Sequence, residues 1–332
     1  MLARVADSIY WMSRYIERAE NVARFIEVNL NLMLDLPVGS AQQWQPLVDT
    51  TGDAAEFAKR YGTATQRNVI QFLTFDHESA NSIRSCLRAA RENARSVREI
   101  ISSEMWEQLN EFYLMVNSAD AENGTDPQDL FASVRMAGHL FNGVTDSTMT
   151  HNESWHFCRL GRMLERADKT SRILDVKYFL LLPSADDVGT TSDDIQWAAV
   201  LRSASAFEMY RKTHGRIAPE RVVEFLLFEK DFPRAIQYCL LRARESVHAI
   251  SGTPIGMFQH SVERLLGELC SEIAYARVEA IIAAGLHQHL DRLQNKMNQV
   301  GKGISETFFA ARGAPPVRKK TRGRTAAVPF VA

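Results

Sequence analysis

A charged helix is written twice in this chain. Arg14, Glu17, Arg18, Ala19, Glu20 and Arg24 recur, in order and spacing, as Arg162, Glu165, Arg166, Ala167, Asp168 and Arg172. Around the first copy, Ile9, Met12, Ile16, Ala19, Ala23, Ile26, Leu30 and Met33 alternate in steps of three and four, the period of a helix with one buried stripe. Around the second, Phe157, Leu160, Leu164, Ala167, Ser171, Leu174, Tyr178 and Leu181 keep the same frame. Pro37, within Asp35 to Gly39, ends the first segment and Pro183 ends the second. Packing alone would let Leu exchange with Ile, but it has no need for the same arginines and glutamates at matched places. The charges are in use.

The repetition runs beyond these helices. VIQFLTFD at 69–76 reads again as VVEFLLFE at 222–229, Trp44 matches Trp197, Phe57 matches Tyr210, and SIRSCLRAARE at 82–92 matches AIQYCLLRARE at 235–245. Five extra residues separate the two registers, and the polar loop after Pro183 accommodates them as a surface insertion. Strand signals are thin: there is no sustained apolar and polar alternation, and Gly and Pro are concentrated between helical blocks. The expectation is an all-α, tandem-duplicated helical bundle whose two pseudo-equivalent halves share a core. Its parts would be 1–150, 151–303 and a flexible basic tail at 304–332, with Arg318, Lys319, Lys320, Arg322 and Arg324 in the tail.

Composition narrows the function classes. At 332 residues and 45% hydrophobic, the chain can bury one large core or two ordinary ones. Cys86, Cys158, Cys239 and Cys270 are widely spaced, which argues against a zinc site or a disulfide framework and fits a reducing cytoplasm. The start is charged throughout and no long apolar run follows, so neither a signal peptide nor a membrane span is expected. A net charge of -1 gives no global attraction to nucleic acid or membrane. The oligomeric state is left open.

Three chemistries compete for the repeated charges. Exposed Glu and Arg pairs at helical spacing would be worth a few tenths of a kcal/mol each. A second reading brings the two helices face to face, so that Glu17 meets Arg166 and Glu165 meets Arg18. Losing one partner of such a buried pair costs roughly 3 to 5 kcal/mol, which would hold the residues in place. A third adds a ligand: carboxylates with arginines can receive a metal, an amine or a bidentate anion. The ligand-binding candidates are Arg14, Glu17, Arg18, Arg24, Arg162, Glu165, Arg166, Asp168 and Arg172, joined by Arg91, Glu92 and Arg95 from the second duplicated cluster. On a helical wheel Arg18 lies apart from Glu17, beside Trp11 and Tyr15. Glu17 and Glu165 are the candidates for a general acid or base, a role that calls for a carboxyl with a raised pKa in a closed cleft.

A di-metal carboxylate site is the further alternative. Glu153 with His156 and Glu245 with His248 have E-x-x-H spacing, and Glu17 and Glu92 would complete the ligand set. The duplication does not repeat the pattern, because Ser8 stands where His156 requires a match and Arg95 stands opposite His248. Gly301-Lys302-Gly303 is too short for a phosphate-binding loop, and no G-x-S-x-G elbow occurs. No cofactor is expected.

Four ordered blocks carry a family resemblance. They are L-x-R-x-A-x-S-I-Y-W-x-x-R-Y-x-E-R-A-E-N-x-A-R at 2–24, S-I-x-x-C-L-x-x-A-R-E-N-A-R at 82–95, S-E-M-W-E-Q-L-N at 103–110, and L-G-R-x-L-E-R-A-D at 160–168. Over about residues 1 to 300 the chain resembles the bacterial Alpha-E family of all-helical proteins. The resemblance implies association with circularly permuted ATP-grasp ligases and transglutaminase-like peptidases, hence a part in peptide or amide bond metabolism. Glu17 and Glu165, with Arg18, Arg24, Arg166 and Arg172, occupy the motif. The expected role is that of a partner or accessory to such a ligase, with catalysis by the paired carboxylates as the alternative.

Overall fold

The computed structural model describes residues 1–35, 44–119, 126–180 and 191–310; the expected stop at Pro37, the insertion after Pro183 and the basic residues from Arg312 onward lie outside them. The chain is all-α, with fifteen α-helices and no strand among the described residues. In order these are α1 (Ala3–Asp35), α2 (Gln45–Thr51), α3 (Ala54–Tyr61), α4 (Gln66–Ile70), α5 (Ile83–Ser96), α6 (Ser103–Ser118), α7 (Pro127–Thr148), α8 (Glu153–Leu180), α9 (Thr191–Ser203), α10 (Phe207–His214), α11 (Pro219–Phe228), α12 (Ile236–Ser251), α13 (Ser261–Tyr275), α14 (Val278–Ala284) and α15 (Leu286–Ile304). One π-helical turn, Gln71–Phe75, follows α4 and another, Ser305–Phe309, follows α15.

Local chemistry sets the starts of these helices. The side chains of Ser82 and Ser102 accept the backbone N–H groups of Ser85 and Met105, capping α5 and α6. Asp126 caps α7 ahead of Pro127, whose missing N–H costs nothing at the first helical position. Gly52 and Gly252 end α2 and α12 in the left-handed conformation.

The long helix α1 is the axis of the molecule, packed against α5, α7, α8 and α9. Enclosure on so many sides explains why its polar residues Ser13, Glu17, Glu20, Asn21, Arg24 and Asn29 are buried along with its apolar stripe. The crossing of α1 and α8 needs a glycine: a Cβ at Gly161 would stand 2.4 Å from the Tyr10 carbonyl oxygen. Apolar side chains from Val5 to Ile304 form one continuous core that takes in both sequence halves.

Some positions matched in sequence share burial or a hydrogen bond. Trp44 and Trp197 are both buried, as are Phe57 and Tyr210. The Cys86 thiol donates to the Ala80 carbonyl at 3.7 Å, and the Cys239 thiol to the Pro233 carbonyl at 3.4 Å. The chain stays helical past 303, where the tail was expected to begin. Phe308 and Phe309 explain this, because their rings pack on Phe157 and Tyr10 and tie the π turn to α8 and α1.

Candidate functional site

The two Glu-Arg dipeptides meet where α1 lies against α8. Arg166 grips Glu17 with a two-pronged pair, Nε to Oε1 at 2.9 Å and Nη2 to Oε2 at 2.8 Å. Arg18 grips Glu165 in the same way, Nε to Oε1 at 2.7 Å and Nη2 to Oε2 at 2.9 Å. Each glutamate is therefore held by the arginine of the other dipeptide. Both carboxylates are buried, and bidentate pairing satisfies their lone pairs in a place where water cannot.

Each pair has its own supporting residues. Glu17 also accepts from Arg234 at 2.9 Å and from the Asn21 amide at 3.1 Å. Arg234 continues to Glu20 at 2.9 Å, and Glu20 pairs with Arg24 one turn along α1. On the other side Glu165 takes Arg14 Nε at 2.8 Å, with the Lys169 ammonium at 3.8 Å. Asp168 pairs with Arg172 at 2.9 Å, in the same i,i+4 relation as Glu20 and Arg24. Helix α7 closes over Glu20 with a glycine, since a Cβ at Gly138 would lie 2.8 Å from Glu20 Cγ.

These surroundings decide the protonation states. Burial alone would raise the pKa of a carboxyl, but Arg166 and Arg234 outweigh it at Glu17 and hold that group far below its ordinary value. Arg18, Arg14 and Lys169 do the same for Glu165. Burial pushes Arg24 well below the usual guanidinium value, with Arg234 adding to the effect. His139, beside Glu20 and about half exposed, is pushed down to about 4 by the burial of its inner half and by Arg24 and Arg234. A general acid must carry a proton near neutral pH and a general base must be free to take one. Arginines hold Glu17 and Glu165 toward the carboxylate form, the reverse of the raised pKa that the acid or base reading calls for.

The remaining candidates are dispersed. Arg162 turns to Asn142 at 3.1 Å and Asp146 at 3.3 Å, although it matches Arg14 in sequence. Arg91 binds Asn110 and lies over Trp106 and Tyr113, and Glu92 with Arg95 forms a half-exposed pair at 2.8 Å. This second cluster does not join the Glu-Arg centre.

The proposed di-metal set is also not gathered. Glu17 is enclosed by arginines, Glu153 meets the N-terminal amine of Met1 at 3.1 Å, and Glu245 is held by Arg159 and Arg242 at 2.7 Å each. His248 bonds the Thr253 carbonyl, while His156 lies edge-on to Trp155. Among the described residues no three His, Cys, Asp or Glu side chains cluster as a cation site.

Sequence reasoning missed Arg234. At the sequence offset that aligns VIQFLTFD with VVEFLLFE it stands where Asn81 stands, and Asn81 in turn accepts from Arg18 at 2.7 Å. The signal was a pair of polar residues just ahead of the helices 83–96 and 236–251, Asn81 reaching the Arg18–Glu165 pair and Arg234 the Glu17–Arg166 pair. Arg18 lies over Tyr15, as the helical wheel placed it, and its long side chain still crosses to Glu165 on α8.

An all-helical bundle centred on two reciprocal Glu-Arg pairs defines the class of protein. The chain belongs to the Alpha-E family, described as a predicted alpha-helical domain with a conserved ER motif, which matches residues 1–309. Glu17-Arg18 and Glu165-Arg166 are the two Glu-Arg dipeptides at its centre. Curated relatives include an uncharacterised protein of Mycobacterium bovis and uncharacterised proteins of two Mycobacterium tuberculosis strains. Each is 24% identical over 341 residues, covering 94% of this chain and 37% of the relative. The chain thus spans little more than a third of the length of the curated relatives it matches. No solved structure matches it. No helix among the described residues is long and apolar enough to cross a membrane.

Proposed function

We propose that this chain is the accessory partner of a circularly permuted ATP-grasp ligase in peptide or amide bond metabolism. In this reading its Glu-Arg centre serves as the structural keystone of a scaffold built by duplication from 1–150 and 151–303. The observation that carries the reading is the closure of the centre: both glutamates are ionised, buried and held by arginines, so the family's motif is spent on holding α1 to α8. Such a module supplies a surface or a binding site, and the bond-forming chemistry falls to another protein. The ligase is the partner that the family resemblance implies. The greater length of the mycobacterial relatives is in keeping with a helical unit that works beside further domains. Four free buried cysteines suit a reducing interior such as the cytoplasm.

The test is co-purification with a circularly permuted ATP-grasp ligase from the same organism, followed by measurement of product formation with and without this chain. The reading expects a stable complex and a ligase whose amide-forming turnover falls at least tenfold when the chain is removed. A ligase that neither binds the chain nor changes its turnover overturns it. Product formation by the chain alone, lost in folded Glu17→Gln and Glu165→Gln proteins, would transfer the chemistry to this chain.

A further inference from the structure

A cavity of about 220 Å³ opens between α1, α8 and the end of α15, next to the Glu165 pair. One wall is apolar, made by Trp11, Tyr10, Leu164, Met297 and Phe309. Arg14 stands at the edge of this wall, with its guanidinium 4.9 Å from the Trp11 ring centre. Asn298 and Ser305 form an exposed polar rim. At about 30 Å³ per water the cavity has room for at least about seven waters, and so for a small organic molecule.

Charge decides the ligand's head group. Arg14, Arg18, Lys169 and Arg172 pair with Glu165 and Asp168, while Asp7 bonds Trp11 and Asp53 stands behind Asn81, so the cation that lines the cavity itself is Arg14. Arg14 reaches the cavity while still partly exposed, at 18% of its side-chain surface. Its contacts with Glu165 and Tyr10 leave donors of its five N–H groups to spare. Asp168 also lines the cavity but already faces Arg172 and Lys169, and its negative charge disfavours a dianion. The best complement is a singly charged, planar head that matches the guanidinium fork, carried on a small apolar body.

We propose that this cavity binds a small organic carboxylate, with its head on Arg14 and the Asn298 and Ser305 rim and its apolar body against Trp11, Tyr10 and Phe309. The site does not depend on the ligase reading, since it requires only the cavity and its charges. Arg14 belongs to the Glu165 pair, so substituting it would confuse folding with binding. Gly301 offers a cleaner handle. It lines the cavity from α15, a Cβ there meets no atom within 4 Å, and a larger residue in a helix carries no propensity penalty relative to glycine.

The experiment is calorimetric titration of the full chain with phenylacetate, phenylacetamide and phenyl phosphate, repeated on Gly301→Leu. The expected result is saturable binding of phenylacetate below about 10 mM. The neutral amide and the phosphate should each bind at least about tenfold more weakly, and Gly301→Leu should lose about tenfold or more while its melting temperature holds. Should Gly301→Leu fail to fold, Ser305→Leu at the exposed rim is expected to weaken binding to a similar degree. Equal binding of the amide, equal or tighter binding of the phosphate, undiminished binding in the folded cavity variant, or no binding of phenylacetate overturns the proposal.

Discussion

Arg166 holds Glu17 through both carboxylate oxygens, from a helix that begins more than a hundred residues after Glu17. Arg18 holds Glu165 in the mirror relation, so two dipeptides about three to four helical turns inside their helices join α1 to α8. A buried pair of this kind adds little net stability over a well-packed apolar pair, yet it becomes costly when only one partner is removed. That asymmetry explains how a charged motif can be fixed without taking part in catalysis.

Glu17→Gln strands Arg166 and Arg234, and Glu165→Gln strands Arg18 and Arg14. Each should lower unfolding free energy by about 3 to 5 kcal/mol in urea titrations. Glu268→Gln, which breaks an exposed i,i+4 pair with Arg264, should cost no more than about 0.5 kcal/mol. Similar small losses for all three would mean that the central charges are as dispensable as the surface ones.

Acid should destabilise the protein in two stages. The His139 pKa is depressed from 6.5 to about 4, so the unfolded chain takes up this proton first. The stability due to neutral His139 is complete above pH 6.5 and is lost as pH falls toward 4. Glu17 and Glu165 have folded pKa values below their ordinary 4.5, so their contribution is complete above that value and is lost as pH falls below it. Unfolding free energy measured between pH 8 and 3 should fall slowly and then steeply. His139→Gln should flatten only the upper stage. A gain in stability on acidification from pH 7 to 4 would contradict these environments.

Gly161 permits the α1 and α8 backbones to touch. Gly161→Ala drives a methyl group against the Tyr10 carbonyl and should cost about 1 to 3 kcal/mol, against the gain that alanine ordinarily brings to a helix interior. Gly143→Ala on α7, where a Cβ meets nothing within 4 Å, is the control and should be neutral or stabilising. Thermal melts of the two variants separate the effects.

The four thiols are buried, and burial raises Cys86, Cys158 and Cys239 to about 12 and Cys270 to about 11. Thiolate, the reactive form, is therefore scarce at neutral pH. Folded protein should resist thiol reagents, with all four cysteines reacting together on unfolding. Rapid labelling of any one in the native state would show an opening of the core at that position.

Much of this arrangement was legible in the sequence because two kinds of pattern coincide in it. The three and four alternation from Ile9 to Met33 marks a helix face, and repeated charges at matched places mark a constraint that surface chemistry does not impose. The reciprocal pairs follow from placing the two helices face to face. What escaped depended on side-chain reach and on loops. Arg234 lies ahead of a helix, outside any periodic pattern, yet it binds both Glu17 and Glu20. Arg162 copies Arg14 in sequence but finds Asp146 on α7, so equal residues part company where their neighbours differ. The E-x-x-H spacings suggested a metal because helical spacing reports which residues share a face, not which faces meet.

The most direct measurement is a double-mutant cycle between Glu17 and Arg166, using Glu17→Gln, Arg166→Met and the combined variant, read by urea unfolding at pH 7.5. A buried reciprocal pair predicts that the second substitution costs much less once the first is made, with a coupling of about 1 to 3 kcal/mol. Losses that simply add, within about 0.5 kcal/mol, would show that these residues do not depend on each other and would contradict the Glu-Arg centre as the keystone of the fold.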